Sequence, residues 1–178
     1  MAPRSLRLPF ATAFAAGAAC LALTFAAGCD PETKKGYETL TIAGPKATKT
    51  FQLKVSADDA SRAKGLGGVT ELPEDGGMIF IFKQSEARYF WMKGCVIDID
   101  IAFLDGLGTV TAVHTMKKEA PQGPNESELA YENRLKRYNS GTPAQFAIEL
   151  RPGTFDTLGI KRGSKIALDL PRLKALAK

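Results

Sequence analysis

The segment that decides the fold is residues 88–105, which read RYFWMKGCVIDIDIAFLD and contain the only tryptophan of the chain. Its second half alternates in the manner of a β-strand, whose successive side chains point to opposite faces of a sheet. One face would carry Cys95, Ile97, Ile99, Ile101 and Phe103, and the other Val96, Asp98, Asp100, Ala102 and Leu104. The segment therefore predicts a half-buried strand with two acids on one face, close to an aromatic cluster.

Short segments of the same kind recur along the chain, separated by turns rich in Gly, Pro, Asn and Asp. Strands are predicted at residues 38–42, 51–55, 78–82, 90–92, 96–104, 109–115, 145–150 and 165–170. Short helices are predicted at residues 57–64 and 126–137, and a turn or short helix ends at Gly159. Gly106 and Gly108 predict a hairpin turn. Many short strands with few helices favour one mainly β domain, an antiparallel β-sandwich or a partly closed barrel.

The N-terminal segment predicts export and lipidation. Arg4 and Arg7 precede an uncharged run that ends in small residues directly before Cys29, which is typical of a bacterial lipoprotein signal. An uncleaved membrane anchor is the alternative, and in both cases the arginines place the domain outside the cytoplasm. We therefore expect a signal at residues 1–28, a lipid on Cys29 that holds the protein at a membrane, a tether at 29–48 and one domain at 49–178.

Composition argues against several classes of function. The net charge is +5, and loss of Arg4 and Arg7 with the signal lowers it to +3, which does not indicate a nucleic-acid partner. Cys20 leaves with the signal and Cys29 is the lipid site, so Cys95 alone stays free and no intrachain disulfide is expected. One histidine and one free cysteine are too few ligands for zinc. We expect neither a metal nor a cofactor, and the oligomeric state stays open.

Four sequence blocks resemble domain-of-unknown-function family 192 of bacteria and archaea. They are SRAKGL at 61–66, LPEDGGMIF at 72–80, FWMK at 90–93 leading to DIAF at 100–103, and EL at 149–150 with GIKRG at 159–163. The resemblance implies a β-sandwich of jelly-roll type and a family without an established reaction. Two positions depart from the family pattern: Gly94-Cys95 replaces the usual Asn-Thr, and Asp98 stands where Pro is frequent. Asp100 is therefore the acid that matches the family.

Asp98 and Asp100 are the first candidates for chemistry. Their Cβ atoms would lie about 7 Å apart on one strand face. At that separation two carboxylates could bind a hard cation or flank a water molecule, as a hydrolase requires. The alternatives are a solvated polar face, or Asp100 as an internal hydrogen-bond anchor.

Two further sets of side chains are candidates for a site. Trp91 and Lys93, with Asp100, could line a ligand site, because aromatic platforms bind sugar rings and peptides, although packing in the core would also explain Trp91. Cys95 and His114 could meet across the hairpin as a nucleophile and base. The alternative for this pair is a small buried thiol and an unrelated histidine.

These observations lead to two predictions of function. The first is a membrane-tethered extracytoplasmic binding or accessory module, with a glycan or a peptide as the expected ligand beside residues 90–100 and 72–77. The second is a carboxylate-dependent hydrolase that acts on cell-envelope polysaccharide, using Asp100 with Asp98 or with a glutamate from elsewhere. The sequence does not decide whether the protein is an enzyme.

Overall fold

Six strands build the main sheet of the computed structural model, which describes residues 35–178. Along the chain the elements are β1 (Tyr37–Ala43), β2 (Thr48–Ser56), α1 (Asp59–Lys64), β3 (Gly76–Glu86), β4 (Tyr89–Phe90), β5 (Ile99–Leu104), β6 (Val110–Met116), α2 (Glu128–Arg134), β7 (Tyr138–Asn139), β8 (Ala144–Leu150), α3 (Thr154–Leu158) and α4 (Leu170–Leu176). The prediction of a mainly β fold with short helices is confirmed. The predicted signal and Cys29 lie outside the described residues.

The main sheet is mixed, with the strand order β1-β2-β3-β8-β5-β6, and it does not close into a barrel. Its neighbouring strands are antiparallel except β2 and β3. A parallel pair needs a long crossover connection, which α1 and the loop after it provide here. β4 and β7 form a separate two-stranded sheet. Because β1 lies within residues 29–48, the folded region includes the second half of the expected tether.

The central strands are buried on both faces of the sheet. On one side, here called the helical face, Ala102 and Leu104 pack in a cluster with side chains of α3 and α4. On the other side, here called the loop face, Ile101 and Phe103 pack with residues of the loop after β4. The predicted division between two faces is confirmed within β5, whereas residues 96–98, predicted as the start of this strand, lie before it. Cys95 and Ile97 also pack on the loop face. The prediction of a half-buried strand is wrong, since all six residues of β5 are buried.

Local predictions hold for most elements and fail near the C-terminus. Residues 165–170 do not form a strand; Lys165 makes an isolated bridge with Thr109, and the chain then enters α4. The side chain of Asp169 caps α4 by accepting a hydrogen bond from the backbone N–H of Arg172, which favours a helix at this point. The predicted hairpin between β5 and β6 is confirmed. None of the described helices is long and apolar enough to cross a membrane.

Candidate functional site

A pocket of about 270 Å³ lies on the loop face of the sheet. The end of α1, strand β3, the segment from β4 to residue 95, and strand β8 supply its lining. Five aromatic and three basic side chains contribute, together with Cys95 and Glu149: Phe80, Phe82, Tyr89, Phe90 and Trp91, and Arg62, Lys64 and Lys93.

Glu149 is the buried acid of this pocket. It lies opposite Met78 of β3 and Ile101 of β5, and its side chain therefore points to the loop face as theirs do. Only 5% of the residue is exposed, and its Oε2 atom has no hydrogen-bond partner among the described residues. Burial raises the pKa of the carboxyl to about 8. The group is therefore mostly protonated at pH 7, and a perturbed acid in a cleft is a candidate functional group.

Cys95 lines the same pocket but is poorly suited to act as a nucleophile. Burial, with a smaller contribution from the charge of Glu149, raises the pKa of its thiol to about 11. The thiolate is the reactive form of cysteine, so very little of it is present at neutral pH. The preceding residue, Gly94, has a φ of +68°, a conformation that favours Gly and tolerates Asn. This backbone requirement accounts for the glycine at position 94.

His114 lies away from the pocket and does not pair with Cys95. Its Nε2 atom lies 2.7 Å from the backbone oxygen of Asn139, and its ring packs against Phe103 and Tyr138. The structure therefore does not bring together the nucleophile and base that the sequence suggested. The described residues also contain no group of three or more His, Cys, Asp or Glu side chains that could hold a metal ion.

Trp91 and Lys93 both reach the pocket, as the sequence predicts for a ligand site. The guanidinium carbon of Arg137 lies 3.7 Å from the centroid of the Trp91 ring, and Lys93 Nζ lies 5.5 Å from it. Lys93 forms ion pairs with Glu128 and, at 2.6 Å, with Glu132, and both bonds raise the pKa of Lys93. Helix α2 thus fixes this side of the pocket. The ligand-binding role of Trp91 and Lys93 stays a prediction.

Asp100, the third predicted ligand residue, points to the helical face. It pairs in register with Leu150 and Thr115, and its Oδ1 atom accepts a hydrogen bond of 2.7 Å from the Thr115 hydroxyl. Successive residues of a strand alternate between faces, so the sheet separates Asp100 from Glu149. Only 2% of Asp100 is exposed. This geometry agrees with an internal hydrogen-bond anchor.

Asp98 precedes β5 and has partners of its own. Its carboxylate pairs with Lys117 at 2.9 Å and accepts a hydrogen bond of 2.9 Å from the backbone N–H of Lys118. The bonds to Lys117 and Lys118 lower the pKa of Asp98. Asp98 lines a separate depression to which Asp100 does not contribute, so the two acids do not converge on one ligand position.

The loop at residues 72–77 also lies outside the pocket at Glu149. With Tyr37 and Lys54 it lines another depression, of about 590 Å³, beside β2. Leu72 of this loop also lines the depression at Asp98, so the two segments of the predicted ligand position meet there and not at Glu149. Leu66, which follows α1, contributes both to the pocket at Glu149 and to the depression beside β2.

Sequence reasoning missed Glu149 as a site residue. In the sequence, Glu149 stood out only as part of the family block at residues 149–150. Its position within an apolar strand could have identified it. Glu149 stands between Ile148 and Leu150 in a strand whose residues are almost all buried, where an acid is costly. What the sequence could not supply was its neighbourhood, because Cys95 and Trp91 come from a distant part of the chain.

Comparison with known proteins identifies a family. The model of the DUF192 family, described as uncharacterized ACR, matches residues 40–168. A crystal structure of a protein of unknown function from Novosphingobium aromaticivorans DSM 12444 aligns with a TM-score of 0.59 and 26% identity, covering 74% of this chain and 85% of that chain.

A second crystal structure, from Sinorhizobium meliloti 1021, is provisionally described as that of a transcription regulator. It aligns with a TM-score of 0.60 and 23% identity over 74% of this chain and 92% of that chain, and this likeness shows the fold alone. No curated protein is significantly similar to the chain. The match of the family model over most of the chain shows that the protein belongs to the DUF192 family.

Proposed function

We propose that the protein is a membrane-tethered extracytoplasmic binding or accessory module whose ligand occupies the pocket at Glu149. The observation that carries this proposal is the buried Glu149 carboxyl, whose Oε2 atom has no partner among the described residues. A buried polar atom without a hydrogen bond costs about 1–3 kcal/mol, and a bound ligand can supply the missing partner. The pocket volume of about 270 Å³ suits a small molecule, or one residue of a larger glycan or peptide.

The chemistry of the pocket favours binding over catalysis. The Cys95 thiol keeps its proton at neutral pH, since burial raises its pKa to about 11. Glu149 is the only acid that lines the pocket among the described residues, whereas glycoside hydrolysis uses a pair of carboxyl groups.

The alternative function is a carboxylate-dependent hydrolase of cell-envelope polysaccharide. One observation favours it: a carboxyl with a pKa of about 8, as in Glu149, can donate a proton near neutral pH. Asp98 and Asp100 are both bonded elsewhere, so the second carboxylate would have to come from another molecule or from a movement of the chain.

The proposed attachment to a membrane rests on the sequence before the described residues. Cys29 would carry the lipid, and β1 begins soon afterwards at Tyr37, which would hold the domain close to the membrane surface. Metabolic labelling with a fatty-acid analogue tests this part of the proposal. We expect label on the full chain and none on the Cys29→Ala variant; equal labelling of both would contradict the proposal.

A ligand screen tests the binding function directly. The chain without residues 1–28 and with Cys29→Ser is titrated with glycans, peptides and small polar molecules while Trp91 fluorescence is recorded. Trp91 is the only tryptophan and lines the pocket, so binding there should change its emission. We expect the response to be lost in Glu149→Leu and kept in Asp100→Asn, a matched change of a buried acid on the other face. No response to any compound would overturn the proposal.

A further inference from the structure

We infer that the ligand of this pocket carries an amine at the end that reaches Glu149 and an anionic group at the end that reaches helix α1. A small amino acid with its two charged groups separated by apolar carbons has this chemistry. The inference rests on the proposed binding function and adds the class of ligand. Three features of the pocket support it: its floor, its walls and its basic rim.

At the floor of the pocket, the described residues supply no hydrogen-bond partner for the Oε2 atom of Glu149. Among the described residues nothing donates to Glu149 Oε2, and the strand neighbours Met78 and Ile101 are apolar. The nearby Cys95 thiol is directed to the backbone oxygen of Lys93, at 3.9 Å. Once the carboxyl has lost its proton, both of its oxygens are acceptors, and a ligand can bring the donor. An ammonium group donates up to three hydrogen bonds, and its bonds to a carboxylate are charge-assisted.

The walls of the pocket are aromatic rings, which attract cations. Two of the pocket's rings already carry basic side chains over their faces: Phe82 has Arg88 at 4.0 Å from its centroid, and Trp91 has Arg137 at 3.7 Å. The electron-rich faces of aromatic rings favour positive charge. Phe80 and Phe90, which pack edge to face at 4.9 Å, have no basic side chain over them in the described part of the chain. Phe80 is buried, so Phe90, which is half-buried, is the ring of this pair that can meet an incoming ammonium group.

The rim is basic and favours an anion. Arg62 and Lys64 lie in the last turn of α1, and Lys93 lines the pocket from the segment after β4. Asp59 neutralises Arg62 in part, and two glutamates of α2 neutralise Lys93, whereas Lys64 makes no ion pair within residues 35–178. Burial alone accounts for the raised pKa of Glu149, so these cations act at the rim and not at the floor. An anionic group of the ligand would therefore lie near Lys64.

Binding of such a ligand would release a proton. The Glu149 carboxyl is mostly protonated at pH 7, because burial raises its pKa to about 8, and an adjacent ammonium favours the carboxylate. As the ion pair forms, the carboxyl proton passes to solvent and no covalent bond within the ligand changes. The other titratable or charged groups that line the pocket are Arg62, Lys64, Tyr89, Lys93 and Cys95. Ion pairs with α2 raise the pKa of Lys93, and burial raises that of the Cys95 thiol to about 11. Affinity should therefore rise with pH up to about 8.

Matched compounds test this inference by calorimetry. ω-Aminohexanoate, hexanoate and hexylamine share one carbon chain and differ in the charged groups, and shorter ω-amino acids test the spacing. At pH 7 we expect an ω-amino acid to bind at least about tenfold more tightly than either single-charge compound. Comparison of buffers with different ionisation enthalpies should show release of roughly one proton. Equal affinity for all three compounds, or binding without proton release, would overturn the inference.

Two variants assign the contacts, with melting curves to verify that both are folded. Glu149→Gln keeps the shape of the side chain but cannot ionise, so it should abolish both the preference for the amine and the proton release. Lys64→Ala should weaken binding of the ω-amino acid and of hexanoate but not of hexylamine. Lys161→Ala, an exposed lysine outside the pocket, is the matched control and should change nothing. If Lys64→Ala and Lys161→Ala behave alike, the assigned orientation is wrong.

The proposed binding function and the proposed class of ligand can fail separately. If the fluorescence screen finds ligands that require Glu149 but none of them has an amine, the inference on ligand class fails and the binding function stands. If no compound changes Trp91 fluorescence in the screen and none gives a binding signal by calorimetry, both fail.

Discussion

Two buried acids on neighbouring strands of the same sheet, Asp100 and Glu149, differ in what surrounds them. Asp100 points to the helical face and receives a hydrogen bond of 2.7 Å from the Thr115 hydroxyl. Glu149 points to the loop face, lines a pocket, and has an Oε2 atom without a partner among the described residues. Burial of an acid is therefore not in itself a sign of function. An acid with an internal partner stabilises the fold, whereas one without a partner beside a cavity is a candidate ligand contact.

The largest expected effect concerns the pH dependence of stability, which Glu149 should dominate. Its pKa is about 8 in the folded protein, against an ordinary value of 4.5. Since the folded pKa is raised, the stability that this group contributes is fully present below about pH 4.5 and is lost as pH rises to about 8. The loss should be roughly 4 kcal/mol. Glu149→Gln cannot ionise and should lack this loss, as measured by urea unfolding at pH 5 and pH 8.5.

Asp100→Asn is the control for this experiment. It should keep the wild-type decrease in stability between pH 5 and pH 8.5, because Glu149 is unchanged. If the stability of the wild-type protein depends on pH in the same way as that of Glu149→Gln, Glu149 is ionised at neutral pH in the folded state.

Asp100→Ala should have the next largest effect, this time on stability alone. It removes the acceptor of the Thr115 hydroxyl in a buried setting, and we expect a loss of about 1–3 kcal/mol in the free energy of unfolding at pH 7. Ligand-induced changes in Trp91 fluorescence should persist. Thr115→Val removes the other partner, and its effect should not add fully to that of Asp100→Ala. Loss of ligand binding with unchanged stability would make Asp100 a functional residue instead.

The contrast between these acids was only partly predictable from the sequence. Period-two alternation correctly assigned Asp100 and Ile101 to opposite faces, because that pattern follows from strand geometry alone. Burial of both faces was not predictable, since the covering side chains, such as Phe155 of α3, come from distant segments. Residues 165–170 resembled a strand because of their apolar content, yet the cap at Asp169 begins a helix there. The site at Glu149 depends on the same long-range packing.

The rate at which Cys95 is alkylated tests whether water is excluded from the loop face. Burial raises the pKa of the thiol to about 11, so iodoacetamide at pH 7.5 should modify it at least about 100-fold more slowly than a free cysteine. The same chain with Cys29→Ser, unfolded in urea, provides the reference rate. Similar rates in the folded and unfolded protein would show that the thiol is solvated and that the pocket beside Glu149 is wet.

The smallest effect is expected from Asp98→Asn, which extends the comparison to a surface acid. Asp98 pairs with the exposed Lys117 side chain, and such surface ion pairs contribute less than about 1 kcal/mol. Urea unfolding at pH 7 should therefore give nearly the wild-type value. A loss as large as that of Asp100→Ala would show that Asp98 has a structural role of similar weight.

The most direct test of the account is the titration of the Glu149 carboxyl in the ligand-free protein. The side-chain ¹³C resonance of Glu149, assigned by its absence from Glu149→Gln, is followed by NMR between pH 4 and pH 9. A midpoint of about 8 would establish a neutral, unpartnered acid in the pocket at physiological pH. A midpoint near the ordinary value of 4.5 would contradict the central claim, because the carboxylate would then be solvated or paired within the protein.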